Sequence, residues 1–369
     1  MHLSRRGLLL GTAGVAAGAL TACGAGEDAK PLTGYTGIAM PTTTSDRWVL
    51  EGADLEKRLQ DLGYKTILEY GDDDIPAQIQ QIQSMIDKGV EFLIVGAIGN
   101  TSLGEVLSKA KDKGVTIIAY DRLILDTPDV DYYASFDNHQ VGVLQAEHII
   151  TKLGLTHEST ETFNIELFSG SLDDNNSQYF FQGALDTFEP YIYGGQILIP
   201  SNQTEQEQTA TQQWDRTIAR TRMAELLDAH YKDERLHAVL SPYDGISRGI
   251  VEALVAADIE PGSDDFPVIT GQDAELRSLK AIKEGTGQSE TVFKDTRQLA
   301  EVAVNMVKSI VEGSTPEVND QGTYDNGFKF IPSYLLEPVD VTAENYKEIV
   351  VDSEYTTEED IDSAPADEG

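Results

Sequence analysis

Cysteine is nearly absent from this chain, which has one, Cys23, among 369 residues. A single cysteine excludes disulfide bonds within the chain. Its place near the N-terminus also excludes a cysteine nucleophile or a cysteine-ligated metal in the folded body. Histidine is scarce as well, and the six histidines show no spacing typical of a metal site. We therefore expect neither a metal nor a cofactor.

Basic residues are few, with 27 Lys and Arg against 63 Asp and Glu, for a net charge of −36. A field of that sign repels nucleic acid and anionic membrane surfaces, which argues against nucleic-acid binding. The acidity does not identify a ligand, because a surface adapted for solubility or salt explains it equally well. The chain also lacks the glycine-rich loop or basic cluster of a phosphate site.

The N-terminal apolar run is too short to span a membrane comfortably. It follows a twin-arginine pattern at Arg5 and Arg6, and it ends in Leu-Thr-Ala-Cys at 20–23, which resembles the lipobox of bacterial lipoproteins. We expect 1–23 to be a lipoprotein signal in which Cys23 is lipidated, and 24–33 to be a tether. The chain is then extracytoplasmic and anchored to the outer face of the cell membrane. An uncleaved anchor helix is the alternative.

After the tether, short apolar runs alternate with helical patterns. Runs at 35–40, 65–70, 92–97 and 115–120 predict strands, separated by helices, and a second series of the same kind follows from 132 to 312. This alternation requires parallel sheets with right-handed crossovers. Two α/β units without a long linker predict two lobes. The acidic segment 352–369 is predicted to be a disordered tail.

Polar residues stand where the predicted strands end, which is where open α/β sheets bind ligands. The run at 115–120 delivers Asp121 and Arg122 to that edge. Similar groups follow the other strands: 42–48, 173–176, 243–244, 272–273 and 294–295. Carboxylates, amides and cations exchange hydrogen bonds with hydroxyls, and an indole covers the C–H face of a sugar ring. The mixture favours a neutral polyol, most simply a monosaccharide.

Each candidate also has a reading in which it only supports the fold. An Asp after a strand can cap the next helix, which applies to Asp174, Asp244 and Asp295. The neighbours Asp121 and Arg122 can form a structural salt bridge. Trp214 lies in a helical pattern that suits a core position equally well. Pairs of carboxylates are also compatible with a glycosidase.

A series of short motifs carries a family resemblance. They stand at 40–42, 47–48, 119–123, 135–138, 174–176, 241–245, 271–274, 293–297, 326–327 and 332–336. In this order they resemble the periplasmic monosaccharide-binding proteins, and within that family the branch of the multiple-monosaccharide-binding and xylose-binding proteins. The likeness extends from Tyr35 to Tyr355, nearly the whole mature chain.

The resemblance implies the type I periplasmic-binding-protein fold, in which two Rossmann-like lobes with parallel sheets are joined by three crossovers. By that analogy the N-terminal lobe comprises 34–137 and about 274–322, and the C-terminal lobe comprises 138–273 and about 323–351. The crossovers are expected near 137–138, just after Asp273, and near 320–326. The sugar is expected in the cleft between the lobes.

The resemblance also assigns ligand-binding residues. Arg47, Asp121 and Arg122 are expected from the first lobe, and Asp174 and Asn176 from the second. Asp273 and Lys294 are expected near the hinge, and Trp48 and Trp214 are the stacking candidates. Tyr243 is also expected among the ligand-binding residues. Two positions depart from the pattern of the family: Thr43 stands where a Lys is expected, and Tyr243 stands where many sugar binders have Asn.

These observations predict a monomeric receptor that delivers an aldose, such as glucose or xylose, to the membrane subunits of an ATP-binding-cassette (ABC) importer by hinge closure. The alternative is a sensor that presents the bound sugar to a membrane signalling protein. A secreted glycosidase is a remote alternative, and otherwise we expect no enzymatic activity.

Overall fold

A computed structural model of the chain describes residues 35–365, except for the side chain of Asp46. The predicted signal with Cys23 and the predicted tether lie outside these residues, as do 366–369. Across 35–365 no helix is both long and apolar enough to cross a membrane.

Strands and helices alternate along the described part. The strands are β1 (Tyr35–Met40), β2 (Lys65–Tyr70), β3 (Val90–Val95), β4 (Thr116–Tyr120), β5 (Tyr132–Phe136), β6 (Phe163–Leu167), β7 (Ile197–Leu198), β8 (Ala238–Leu240), β9 (Val268–Ile269), β10 (Glu290–Phe293), β11 (Ser333–Leu336) and β12 (Val339–Thr342). The α-helices are α1 (Asp46–Asp61), α2 (Ile75–Asp87), α3 (Gly104–Asp112), α4 (Asn138–Lys152), α5 (Asn175–Tyr193), α6 (Gln206–Thr209), α7 (Arg216–His230), α8 (Asp244–Ala256), α9 (Leu276–Glu284), α10 (Thr296–Val311) and α11 (Glu358–Ser363).

The first lobe is built on a parallel sheet in the order β11-β5-β4-β3-β1-β2. Successive side chains of β4 enter different cores: Ile117 and Ala119 pack in one cluster with α2 and α3, whereas Ile118 and Tyr120 pack in another with α1 and α10. Both faces are therefore covered by helices. This explains why the strands read as continuous apolar runs.

The second lobe has a parallel sheet in the order β7-β6-β8-β9, beside an antiparallel pair of β10 and β12. A parallel bridge between Gln272 and Val292 joins the two parts. Helices α4 and α5 approach very closely, because a Cβ on Gly142 would lie 1.8 Å from the carbonyl oxygen of Phe180. The two parallel sheets confirm the predicted α/β class.

The strand pairing divides the chain at points that differ in part from the prediction. The first passage between the two sheets lies at 137–138, between β5 and α4. The others fall at 294–295, between β10 and α10, and at 337–338, between β11 and β12. The segment 274–293 therefore belongs to the second lobe, and β11 belongs to the first. Short strands such as β10 and β11 do not reveal their partners in sequence, since pairing is set by tertiary contacts.

Two further expectations are corrected. The predicted disordered tail is ordered up to residue 365, because α11 is tied down by Ile361, which is fully buried. The helical pattern predicted around Trp214 is interrupted: a short 3₁₀ turn at Gln212–Trp214 has positive φ at Gln213 and Trp214, and α7 starts after it.

Candidate functional site

A cavity of about 360 Å³ lies between the lobes at the carboxyl ends of the strands of both sheets. Its volume is near the lower end of the range usual for small-molecule sites. All ten residues predicted to bind ligand line it: Arg47, Trp48, Asp121, Arg122, Asp174, Asn176, Trp214, Tyr243, Asp273 and Lys294. Their contact with a ligand stays a prediction.

Arg47 is the most heavily paired cation of the cavity. It lies on the first turn of α1, and its guanidinium forms hydrogen-bonded ion pairs with Glu51 and Asp121. A third carboxylate, that of Asp273, lies 3.4 Å from Nη1. Burial alone would lower the pKa of Arg47, but the charges of Asp121 and Glu51 outweigh burial and raise it. Arg47 is therefore a permanently charged and oriented donor.

Asp121 is fixed through its backbone as well as its side chain. Its φ of 60° turns the chain at the end of β4 into a conformation that is costly for most residues and typical of functional sites. Three donors converge on its carbonyl oxygen: the hydroxyls of Tyr133 at 2.6 Å and Ser135 at 2.9 Å, and Nδ2 of Asn176 at 2.9 Å. Since Asn176 lies on α5, this bond joins the two lobes.

The carboxylates of Asp121 and Asp174 are held differently. Burial alone would raise the pKa of Asp121, but the charges of Arg47 and Lys294 outweigh burial and lower it. Burial raises the pKa of Asp174, and the charge of Arg122 offsets this only in part. Asp174 also caps α5, because its Oδ1 accepts from the backbone N–H of Asn176 at 3.0 Å. The capping alternative for Asp174 is thus confirmed, although its other oxygen remains directed to Arg122.

Asp121 and Arg122 do not pair with each other but turn to different partners. The Nε of Arg122 lies 3.0 Å from Oδ2 of Asp174 in an ion pair across the lobes, and Nη1 donates to the carbonyl of Ala97 at 3.2 Å. The alternative of a local salt bridge between Asp121 and Arg122 is therefore wrong. Asp121 pairs with Arg47 within the first lobe, whereas Arg122 pairs with Asp174 of the second lobe.

Lys294 and Asp273 form the floor near the crossings. Nζ of Lys294 lies 3.0 Å from Oδ1 of Asp273, and the lysine side chain is 3% exposed. Asp273 has a φ of 93°, in the left-handed region that favours glycine, so its position is imposed by the surrounding structure. Each buried carboxylate of the cavity therefore has a cation, as buried charges require.

An aromatic wall covers the side of the second lobe. The rings of Phe180 and Tyr243 lie 6.3 Å and 6.0 Å from that of Trp214, both edge to face. The indole passes directly over Gly170, where a Cβ would lie 2.0 Å from the ring. The hydroxyl of Tyr243 points away from the cavity and donates to Glu275 at 2.6 Å. Phe180 was missed, because in sequence it reads as an ordinary core residue of α5.

Trp48 occupies a different setting from Trp214. It is 5% exposed, and the guanidinium carbons of Arg47 and Arg122 lie over its ring at 4.8 Å and 5.4 Å. Such contacts hold cations in place. The ring of Trp48 therefore supports the guanidinium groups of Arg47 and Arg122. The aromatic wall around Trp214 provides a flat apolar surface on the other side of the cavity.

Two other strand-end residues, Asp244 and Asp295, have structural roles. Asp244 is fully buried and accepts from the side chains of Gln288 at 2.6 Å and Thr291 at 2.9 Å. Asp295 caps α10. The capping alternative is confirmed for Asp295, whereas Asp244 is the first residue of α8 and does not cap it. Thr43 lies outside the cavity lining and donates to Asp72 at 2.7 Å.

Further lining residues were not predicted as binding residues. Phe180, described above, is an apolar one. The polar ones are Thr42, Thr44, Ser45, Asp73, Asp173, Gln213, Asp215 and Gln272. Most of them follow the carboxyl ends of strands, where ligand sites are expected. The sequence therefore predicts the region in which they lie but not which side chains line the cavity. Among the described residues no group of His, Cys, Asp and Glu is arranged to hold a metal ion. The arrangement offers ion-paired donors and acceptors for hydroxyl groups.

Comparison with known proteins gives consistent results. Residues 36–315 match the model of the periplasmic binding protein domain. A multiple sugar-binding periplasmic receptor of Rhizobium radiobacter is 49% identical over 87% of this chain and 90% of its own. The D-xylose-binding periplasmic protein of Escherichia coli K12 is 31% identical over 88% and 92%. An ABC transporter solute-binding protein of Clostridium phytofermentans, solved with bound β-D-glucose, is 41% identical with a TM-score of 0.84 over 89% and 99%.

Proposed function

Since the chain belongs to the periplasmic binding protein family, we propose that it binds a monosaccharide of the aldose class in the cavity between its lobes. The observation that carries the proposal is the convergence of Arg47, Asp121 and Arg122 from the first lobe with Asp174 and Asn176 from the second. Relatives that bind glucose and xylose support the same ligand class.

The chemistry of the cavity suits a neutral, hydroxyl-rich ring. Asp121, Asp174 and Asp273 can each accept a hydroxyl proton while their cations donate to ring and hydroxyl oxygens. Hydrogen bonds to charged groups contribute roughly 1.5–3 kcal/mol each. A few of them, reduced by the ordering of the ligand, supply the about 8 kcal/mol of a micromolar complex. Trp214 and Phe180 cover an apolar face of the ring.

Binding acts by hinge closure. A sugar that contacts both lobes has a higher affinity for the closed arrangement than for an open one, so it shifts the population toward closure. The three crossings at 137–138, 294–295 and 337–338 are the segments that absorb the rotation. No bond in the ligand is made or broken.

Delivery to an importer is the second part of the proposal. The closed, loaded form docks on the membrane subunits of an ABC importer, which release the sugar inward. A strain that lacks this chain is expected to lose uptake of a radiolabelled aldose and to regain it when the chain is supplied again. Unchanged uptake without the chain would contradict this part.

The third part is anchoring through Cys23. It is supported by the twin-arginine pattern and the lipobox-like sequence before this residue. Mass spectrometry of the N-terminal peptide is expected to show a lipidated Cys23, and Cys23→Ala is expected to release the protein from membranes. An unmodified Cys23 in membrane-bound protein would contradict the anchor.

A thermal-shift screen tests the binding proposal. The panel is glucose, xylose, galactose, arabinose and fucose, with glycerol as a control polyol. A sugar present at about a hundred times its dissociation constant stabilises the folded protein by about 2.7 kcal/mol, which raises the Tm measurably. If none of the five aldoses raises the Tm more than glycerol does, the proposal is wrong.

A further inference from the structure

Glu51 is a buried carboxylate next to the cavity that does not line it. It lies on α1 one turn after Arg47, and the residue is 2% exposed. Its carboxylate forms an i,i+4 ion pair with the guanidinium of Arg47. Glu51 is not among the ligand-binding residues predicted from the sequence. A charged group is not left in such a place without an interaction that holds it there.

The guanidinium of Arg47 is held from several directions. Its Nε donates to Glu51, its Nη2 to Asp121, and its Nη1 faces Asp273. A guanidinium is planar and carries its donors in a fixed fork, so partners at its edges determine where the whole plane lies. Of the three carboxylates, only that of Glu51 lies outside the cavity lining.

Other charged and titratable groups also face Glu51. Those whose charge or hydroxyl interacts with it are Arg47 on α1, Tyr120 at the end of β4, Asp121 after it, and Tyr355 of the C-terminal segment. Two further groups near α1 have other partners than Glu51: the hydroxyl of Tyr70 on β2 donates to the carbonyl of Val49, and Glu301 of α10 pairs with Arg58.

The charges of the ion-paired groups at the cavity do not balance when Glu51 is ionised. The ion pairs of the cavity contain three cations, which are Arg47, Arg122 and Lys294. They contain four carboxylates, which are Glu51, Asp121, Asp174 and Asp273. Glu51 is the carboxylate that does not line the cavity, and it is therefore the one that can gain a proton without changing a group that faces the ligand.

We propose that Glu51 is a positioning residue for the cavity: it fixes the plane of the Arg47 guanidinium, and thereby sets the affinity for sugar without touching the sugar. This inference rests on the proposed function. Helix α1 then holds the Arg47 side chain in one orientation, because Arg47 and Glu51 both lie on it, one turn apart.

The inference has a pH-dependent consequence. Burial raises the pKa of Glu51 to about 7, and the charge of Arg47 offsets that only in part. Above this pH the ionised carboxylate holds Arg47, and below it the neutral acid holds Arg47 less firmly. The binding constant should therefore fall as the pH drops through about 7. For one proton the slope is at most about tenfold per pH unit.

Calorimetric titration with D-glucose tests the inference in the wild type, Glu51→Gln, Glu51→Asp and Asp54→Asn. The matched control is Asp54→Asn, because Asp54 also forms an i,i+4 ion pair on α1, with Arg58 at 2.8 Å, but away from the cavity. We expect Glu51→Gln to bind roughly tenfold more weakly near pH 8, where Glu51 of the wild type is largely ionised, and to lose most of the pH dependence between about pH 6 and about pH 8. Asp54→Asn should match the wild type, and Glu51→Asp, which keeps the charge, should retain a pH dependence.

A second readout needs no sugar. The chain has two tryptophans, so Trp214→Phe leaves Trp48, over which Arg47 lies at 4.8 Å, as the sole indole. We expect the fluorescence of this variant to titrate near pH 7, and the added change Glu51→Gln to abolish that titration.

The outcomes separate the two proposals. A wild type that binds no aldose contradicts the proposed function, while the fluorescence titration still decides on Glu51. A wild type that binds glucose, with Glu51→Gln unchanged in affinity and pH profile, overturns the positioning role. Titration of Trp48 fluorescence that persists in Glu51→Gln overturns it as well.

Discussion

Arg122 of the first lobe and Asp174 of the second form an ion pair across the cavity, with Nε 3.0 Å from Oδ2. Both side chains are largely buried, at 16% and 6% exposure. Each group also has a role within its own lobe: Arg122 donates to the carbonyl of Ala97, and Asp174 caps α5. The pair therefore connects two rigid elements, and its geometry depends on the angle between the lobes.

The first prediction concerns Asp121, whose carboxylate pairs with Arg47. We expect Asp121→Asn to weaken sugar binding by roughly a hundredfold, since it removes a charged acceptor worth about 1.5–3 kcal/mol and leaves Arg47 undercompensated. Asn tolerates the positive φ of this position, so the backbone should be kept. Calorimetry gives the affinity, and circular dichroism confirms the fold. A variant that unfolds while the remaining folded fraction binds normally would make Asp121 a structural residue only.

The second prediction concerns the contact between Gly170 and Trp214. A Cβ at residue 170 would lie 2.0 Å from the indole, so Gly170→Ala must displace the ring. We expect roughly tenfold weaker sugar binding, because the apolar face loses area against the ligand. The quenching of tryptophan fluorescence on titration with glucose measures this. Equal affinities in Gly170→Ala and wild type would show that Trp214 does not contact the sugar.

The third prediction separates the two parts of the Tyr243 side chain. Its hydroxyl donates to Glu275 outside the cavity, whereas its ring lies edge to face against Trp214. Tyr243→Phe should lower the free energy of unfolding by about 1 kcal/mol and leave the sugar affinity almost unchanged. Tyr243→Ala should weaken binding as well. Urea unfolding and calorimetry on both variants distinguish this from a direct bond between the hydroxyl and the sugar, which predicts a large loss in Tyr243→Phe.

The fourth prediction concerns stability and pH. Burial raises the pKa of Glu51 and of Asp244 to about 7, so both carboxyls take up protons in the folded chain at a pH where they are ionised when unfolded. A carboxyl with a raised folded pKa contributes stability that is present at low pH and lost as the pH rises through that value. The free energy of unfolding should therefore fall between about pH 6.5 and about pH 8.5, by less than about 1.4 kcal/mol per pH unit for each group, with most of the fall below about pH 7.5.

Histidines do not reverse that sign in this window. Burial lowers the pKa of His148 to about 4 and also lowers that of His237, so both are largely neutral in the folded chain above about pH 6.5. In the unfolded chain histidines lose their remaining charge between about pH 6.5 and about pH 7.5, which offsets only part of the fall. Urea unfolding at the two ends of the window measures the change. Glu51→Gln should reduce the slope, and a stability that rises with pH in the wild type would contradict the assignment.

Much of the fold follows from the apolar patterns of the sequence. The runs ending at Met40 and Tyr120 are buried strands of one parallel sheet, as their apolar character on both faces predicts. The run ending at Tyr70 is the edge strand of the same sheet and is only partly buried. The order of short strands does not follow from such patterns. Because β10 and β11 have only four residues each, their partners are decided by contacts far away in the chain.

The site could be located from sequence more accurately than it could be described. Strand ends and family motifs led to Arg47 and Lys294 because ligand sites collect at the carboxyl edge of parallel sheets. Glu51 gave no such signal, since it lies inside a helix, and its importance comes from burial beside Arg47. Asp121 pairs with a residue 74 positions away in its own lobe, and Arg122 pairs with one 52 positions away in the other lobe. Such partners are set by tertiary packing and leave no signal in the local sequence.

The most direct test of the account is a calorimetric titration of D-glucose and D-xylose into the purified chain beside Asp121→Asn. The account predicts saturable binding of at least one sugar at one site per chain, with a dissociation constant of about micromolar or tighter, and a loss of roughly a hundredfold in the variant. Absence of heat from both sugars, or equal affinity in the two proteins, would contradict it.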